Sequence, residues 1–171
     1  MRWITFSILL YVCAALQVTH FLTLSAHGSY PAIQYLPLLA IFYALFADEK
    51  SAPLAGFACG ILYDLTSGGM IPFGTQAVPL ALLTLLVVRI RMSIFRERVI
   101  SQIVISFVAL LFFALLVALL SWLLLGGGLW AAFGPMSANA VYSAFAAPLL
   151  FRLWMLLKGF LGFDPHRHRS R

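Results

Sequence analysis

Side chains able to hold a proton, a metal or a nucleophile are scarce in the long apolar runs of this chain, and Asp64 is the one acid inside them. It lies in the stretch GFACGILYDLTSGGMIPFGTQA, residues 56–77, and is the only charged residue across 51–88. An isolated acid in such a setting can bind a cation or ligand, or carry a proton, as intramembrane carboxylates do. A relay would need further ionisable residues at similar depth, and the neighbouring runs offer only His20 and His27. Cys13 and Cys59 sit in apolar runs without a CxxC pattern or a histidine at ligand spacing, so they read as small packing residues. There is no HExxH, no GxSxG and no phosphate-cradling glycine loop. Metalloprotease, hydrolase and nucleotide-hydrolysing chemistry lack their parts, and no catalytic residue, metal ligand or cofactor is assigned.

The elements that must position Asp64 follow from composition. Hydrophobic residues make up 63% of the 171 residues, charged residues 9%, and the mean hydropathy is +1.02. Ordinary globular domains carry roughly 25% charged residues. So short and so apolar a chain cannot cover its core with polar surface in water, which makes lipid the expected solvent. The net charge of +6 does not point to nucleic acid. The basic residues cluster beside apolar segments, where anionic headgroups and the positive-inside rule place them.

Charge-free blocks set the topology. Residues 3–47 and 99–151 carry no charge, and 51–88 carries only Asp64. One helical crossing takes about 20 residues, so each block fits two crossings. The turn-forming stretches within the blocks are SAHGSYP (25–31), TSGGMIPFG (66–74) and GGGLWAAFGP (126–135), none with Lys or Arg. The connecting segments and the tail hold the charge. An all-α, polytopic bundle is therefore expected: one membrane domain over 1–171, six helices in three hairpins, both termini cytoplasmic. The expected spans are 3–24, 31–47, 52–66, 73–89, 98–125 and 136–158, with 159–171 a short basic tail. Span three is short, and span five is long enough to require tilt or extension into the cytoplasm. Pro37, Pro79 and Pro148 fall within spans and are expected to kink them. Trp3, Trp122, Trp130 and Trp154 fall near span ends, as interface anchors do.

Ala52, Gly56, Gly60 and Asp64 recur every four residues and so share one face of span three. Gly56 and Gly60 form the small-xxx-small pattern that lets helix backbones approach closely in lipid. Asp64 is then expected to face protein near the external end of its helix. Its donors would be the backbone N–H groups of Thr66, Ser67 or Gly68, or the side chains of His20, Gln76 or Asn139. It either braces the turn between spans three and four or lines a ligand site. Gln17, Thr75, Thr84, Gln102 and Ser106 are expected to bond between helices. In the basic loop 89–98, Arg89, Arg91, Arg96 and Arg98 are candidates for contact with anionic lipid or a cytoplasmic partner.

A nearly loopless six-span chain carrying the run Gly60-Ile-Leu-Tyr-Asp64-Leu65 resembles the MreD family of bacterial rod shape-determining proteins. That family shows a glycine, an aliphatic stretch, Asp-Leu and a short small-residue turn, then an apolar-Gly pair and an apolar helix. Here the turn is Thr66-Ser67-Gly68-Gly69, the pair is Phe73-Gly74, and Ala77 opens the next helix. Gly56, Gly60, Asp64, Gly68, Gly69 and Gly74 are accordingly candidate structural or partner-interface residues. The resemblance implies a non-enzymatic scaffold of the bacterial cytoplasmic (inner) membrane, without cofactor, in the cell-wall elongation complex. It implies an MreC-like single-span partner and, indirectly, MreB filaments, a RodA-type glycosyltransferase and a class B penicillin-binding transpeptidase. The glycine stripe is then internal packing or a groove for a partner helix. The alternative is the substrate-binding S-component of an energy-coupling-factor vitamin importer, which has six helices and similar length. Such components often dock through an Ala-xxx-Ala pattern in the first helix; here that spacing occurs as Ala114/Ala118 and Ala140/Ala144.

Overall fold

A computed structural model describes residues 3–19, 32–47, 49–67, 72–90, 99–126 and 128–156. Among these the chain forms six α-helices and no strand: α1 (Trp3–Val18), α2 (Tyr35–Phe46), α3 (Ala52–Thr66), α4 (Ala77–Ile90), α5 (Val99–Leu125) and α6 (Leu129–Leu156). The chain is thus all-α, as its composition and charge-free blocks predict.

The bundle is organised around α2. Every residue of this helix except Phe46 is buried, and it touches α1, α3, α4, α5 and α6. A helix apolar on all sides needs such a surround. Phe42 is its hub, with the rings of Phe46, Trp154, Phe151 and Tyr43 centred 5.0–5.9 Å away. Trp154 is therefore a core residue, 3% exposed, and not the interface anchor its position near a span end predicts. α6 carries it over α2, where a large flat ring fills space that smaller side chains would leave empty. Around this centre α3 pairs with α4 and α5 with α6, the two most extensive helix contacts. Cys13 and Cys59 are free and buried.

Three helices start away from the positions that the turn signals predict. Residues 32–34 and 72 are irregular and 73–76 form turns, so α2 and α4 begin about four residues later than expected. α6 begins earlier, at Leu129, so most of GGGLWAAFGP is helical, and α6 contains Pro135 as well as Pro148. Leu129, Ala131 and Ala132 are good helix formers that act against the turn signal. Gly126, at φ +68, ends α5 in a left-handed conformation and donates its N–H to the Trp122 carbonyl at 3.0 Å. Pro37 and Pro79 do not kink their helices. Each is the third residue of its helix, where the missing N–H would have had no intrahelical acceptor.

Length separates the helices into two groups. α5 and α6 have 27 and 28 residues, about 40 Å at helical rise. α2, α3 and α4 have 12, 15 and 14 residues, about 18 to 22 Å. Among the described residues, only the α5 stretch Ile100–Leu125 is both long and apolar enough to cross a membrane on those criteria alone, while α1 to α4 are apolar and shorter.

Candidate functional site

The α3 stripe is filled from within the chain. A Cβ added at Gly56 would collide with the side chain of Thr84, and one at Gly60 with the backbone of Ala77. Both neighbours belong to α4. The two glycines therefore let α4 lie against the α3 backbone, and the next stripe residue, Asp64, arrives at the start of α4.

There the carboxylate accepts three backbone hydrogen bonds. Oδ2 takes the N–H groups of Gly74 at 2.9 Å and Ala77 at 3.1 Å, and Oδ1 takes that of Gln76 at 3.0 Å. The opening turn of a helix leaves N–H groups without intrahelical acceptors, and here each of these donors is placed. The Thr75 N–H goes to the Pro72 carbonyl, Val78 to Gly74, Leu80 to Gln76, and Pro79 has none to place. Asp64 thus acts as a capping carboxylate contributed by the preceding helix, at the end of α4 where the macrodipole is positive and favours an anion. Gly74, at φ +96, supplies the left-handed turn that aims its N–H back at Asp64. Beside this knot the Gln76 side-chain Nε2 donates to Ser67 Oγ, which itself donates to the Tyr63 carbonyl, both at 2.7 Å.

The donors differ from those the sequence predicts. The Ser67 N–H bonds to the Tyr63 and Asp64 main-chain carbonyls. Gln76 contributes its main chain to Asp64, and Asn139 is engaged elsewhere. The physical reason is direction: N–H groups just past the end of α3 close that helix, whereas those opening α4 point outward from its N-terminus. The signal available in the sequence was Pro79, whose placement in a first turn marks a helix start two residues earlier. His20, Gly68, Gly69, Arg91, Arg96 and Arg98 lie outside the described residues, and Arg89 is exposed at the end of α4.

A second helix start is handled the same way. The N–H of Tyr35 donates to Gln17 Oε1 of α1 at 2.8 Å, and Gln34 donates to Ser143 Oγ of α6 at 2.9 Å. Ala32 donates to Asn139 Oδ1, also of α6, at 3.1 Å. Asn139 and Ser143 as acceptors for α2 were missed from sequence; their one signal was polarity within an apolar helix. Thr84, expected to bond between helices, instead bonds to its own helix at Ala81 and packs against Gly56. Ser106 Oγ is buried and has no hydrogen-bond partner among the described residues.

These sites hold helices and present no reacting constellation. Asp64 is 9% exposed, and among the described residues no group of three or more His, Cys, Asp and Glu is placed to hold a metal. A family model for the rod shape-determining protein MreD matches residues 1–161. The chain belongs to the MreD family. The match spans all six helices and the Asp64 knot. MreD proteins are membrane proteins that act in rod shape determination, and the family is structural, not a known enzyme family. No curated protein and no solved structure matches the chain.

Proposed function

We propose that this chain is a non-enzymatic, multi-pass scaffold of the bacterial inner membrane. It binds an MreC-like single-span protein and helps couple MreB filaments to peptidoglycan synthesis by a RodA-type glycosyltransferase and its class B penicillin-binding transpeptidase. Its six helices form three hairpins with both termini cytoplasmic, the arrangement favoured by the uncharged turns and basic connections. Arg89, Arg91, Arg96 and Arg98 then meet anionic headgroups on the cytoplasmic side. The observation that carries the reading is the family match over residues 1–161.

The site geometry supports it. Asp64 is spent on holding α4, and Gly56 and Gly60 are filled by α4, so neither the acid nor the stripe is left to bind a substrate. Partners must therefore use the lipid-facing sides and the turns. No comparable observation favours the importer component. Its Ala-xxx-Ala docking device would need an exposed stripe, and Ala114, Ala118, Ala140 and Ala144 are all buried.

The test is purification of the tagged chain from membranes of a rod-shaped bacterium that carries it, together with its depletion. The reading expects an MreC-like single-span protein in the purified material and rounding of depleted cells. A vitamin retained through purification, with no such partner and no change of shape, would transfer the chain to the importer class.

A further inference from the structure

From the lengths of α3 and α4 we infer that the hairpin they form thins the bilayer on its side of the protein, selecting phospholipids with short acyl chains there. The inference rests on the multi-pass membrane reading above.

Both helices of the hairpin present one apolar stripe outward. On α3 it runs Leu54, Phe57 and Leu65, and on α4 Val78, Leu82, Leu85, Leu86 and Ile90. Polar groups lie near both ends of each stripe. Exposed Glu49 and Lys50 precede α3, and exposed Arg89 sits in the last turn of α4. At the opposite end lie Asp64, Ser67 and Gln76 with their hydrogen bonds. Asp64 lies fourteen positions after Lys50 and Arg89 twelve positions after Ala77, about 21 and 18 Å at helical rise. The hydrocarbon core of a bilayer is about 30 Å thick.

Tilt cannot repair this shortfall, because tilting lowers the height a helix covers. Snorkelling of Lys50 and Arg89, with Phe73 exposed in the turn, recovers only part of it. α5 has the opposite property. Its exposed apolar residues extend from Ile100 to Leu125, about 38 Å, and a tilt near the upper end of the usual range of about 0–40° fits it to a full bilayer. One side of the molecule thus matches ordinary lipid, and the other matches a thinner sheet.

The test uses tryptophan reporters and brominated phosphatidylcholines in reconstituted vesicles. Trp3, Trp122 and Trp130 are replaced by Phe, and Trp154, buried in the core, remains as a constant background. Leu82→Trp and, independently, Leu86→Trp report on α4; Leu115→Trp reports on α5. All three positions are exposed. Quenching is compared among brominated forms of dimyristoleoyl, dioleoyl and dierucoyl lipid. The α4 reporters are expected to favour the dimyristoleoyl lipid over the dioleoyl lipid by about three-fold, since mismatch is worth fractions of a kcal/mol per Å. The α5 reporter should show no such preference. Equal chain-length profiles at α4 and α5 overturn the inference. So does an α4 reporter that no lipid quenches while Leu115→Trp is quenched, because protein then covers the hairpin. Quenching at neither helix would overturn the membrane reading itself.

Discussion

Gly60→Ala gives the sharpest test of how α3 and α4 are held. In an exposed helix this change stabilises by about 1 kcal/mol, because Ala has the better helix propensity. At Gly60 the new methyl would fall on the backbone of Ala77, with Gln76 O and Ala77 N only 3.1 Å from it. Backbone cannot rotate out of the way, so α4 must move off. Overpacking of this kind costs about 1–3 kcal/mol. The same displacement stretches the Ala77 and Gln76 bonds to Asp64, four residues along, and losing one bond to a charged acceptor costs about 1.5–3 kcal/mol. The net expectation is a destabilisation of about 2–4 kcal/mol. Gly56→Ala meets the Thr84 side chain instead, so it should cost less, and Thr84→Ala should relieve most of that cost when the two are combined. Gly60→Ala has no equivalent rescue. Reversible unfolding in mixed detergent micelles, measured for the three single variants and the Gly56/Thr84 double variant, yields each difference. A Gly60→Ala protein as stable as the parent, or more stable, would refute close approach of α4 to the α3 backbone.

Asp64→Ala removes the acceptor of three N–H groups and should destabilise by about 3–5 kcal/mol, whereas Asp64→Asn keeps one accepting oxygen and should cost about 2 kcal/mol. The same unfolding assay ranks them, and a ranking reversed or collapsed would argue against capping. Gly74→Ala meets no atom within 4 Å but forces a methyl-bearing residue into φ +96; a loss of about 1–2 kcal/mol is expected, with Gly74→Asn milder. Gln17→Leu and Ser143→Ala each strip an acceptor from the start of α2 and should cost about 1–3 kcal/mol. Amide hydrogen exchange at Gln34 and Tyr35 should accelerate in the matching variant, and unchanged exchange would contradict the assigned bonds.

The parts legible from sequence were those written in local periodicity. Charge-free blocks gave the helix count, and the four-residue recurrence from Ala52 to Asp64 placed those residues on one face, of which Gly56, Gly60 and Asp64 lie against α4 or the turn that opens it. What escaped was the identity of partners across turns. Asp64 lies at the C-terminal end of α3, where the helix dipole disfavours an acid, and only the fold shows that the same point is the favourable N-terminal end of α4. Pro37 and Pro79 were ambiguous for a related reason, since a proline three residues into a helix resembles one in mid-span until the start is known. Nearness to a span end marks Trp154 as an interface anchor, but it carries no information about the face the residue occupies.

The buried α2 also constrains how the protein can be made. The acceptors for Ala32 and Gln34 lie 107 and 109 residues further along the chain. At about 5–20 residues per second of synthesis, roughly 5–20 seconds pass before Asn139 and Ser143 exist. Until then the start of α2 can use Gln17 alone of its three side-chain acceptors, and the aromatic ring from Trp154 that closes over Phe42 is still unmade. A helix of 12 residues, about 18 Å long, also has no stable transmembrane register of its own. Final seating of the central helix is therefore a late event in biogenesis. Any chain released before α6 is complete carries a central helix without these partners.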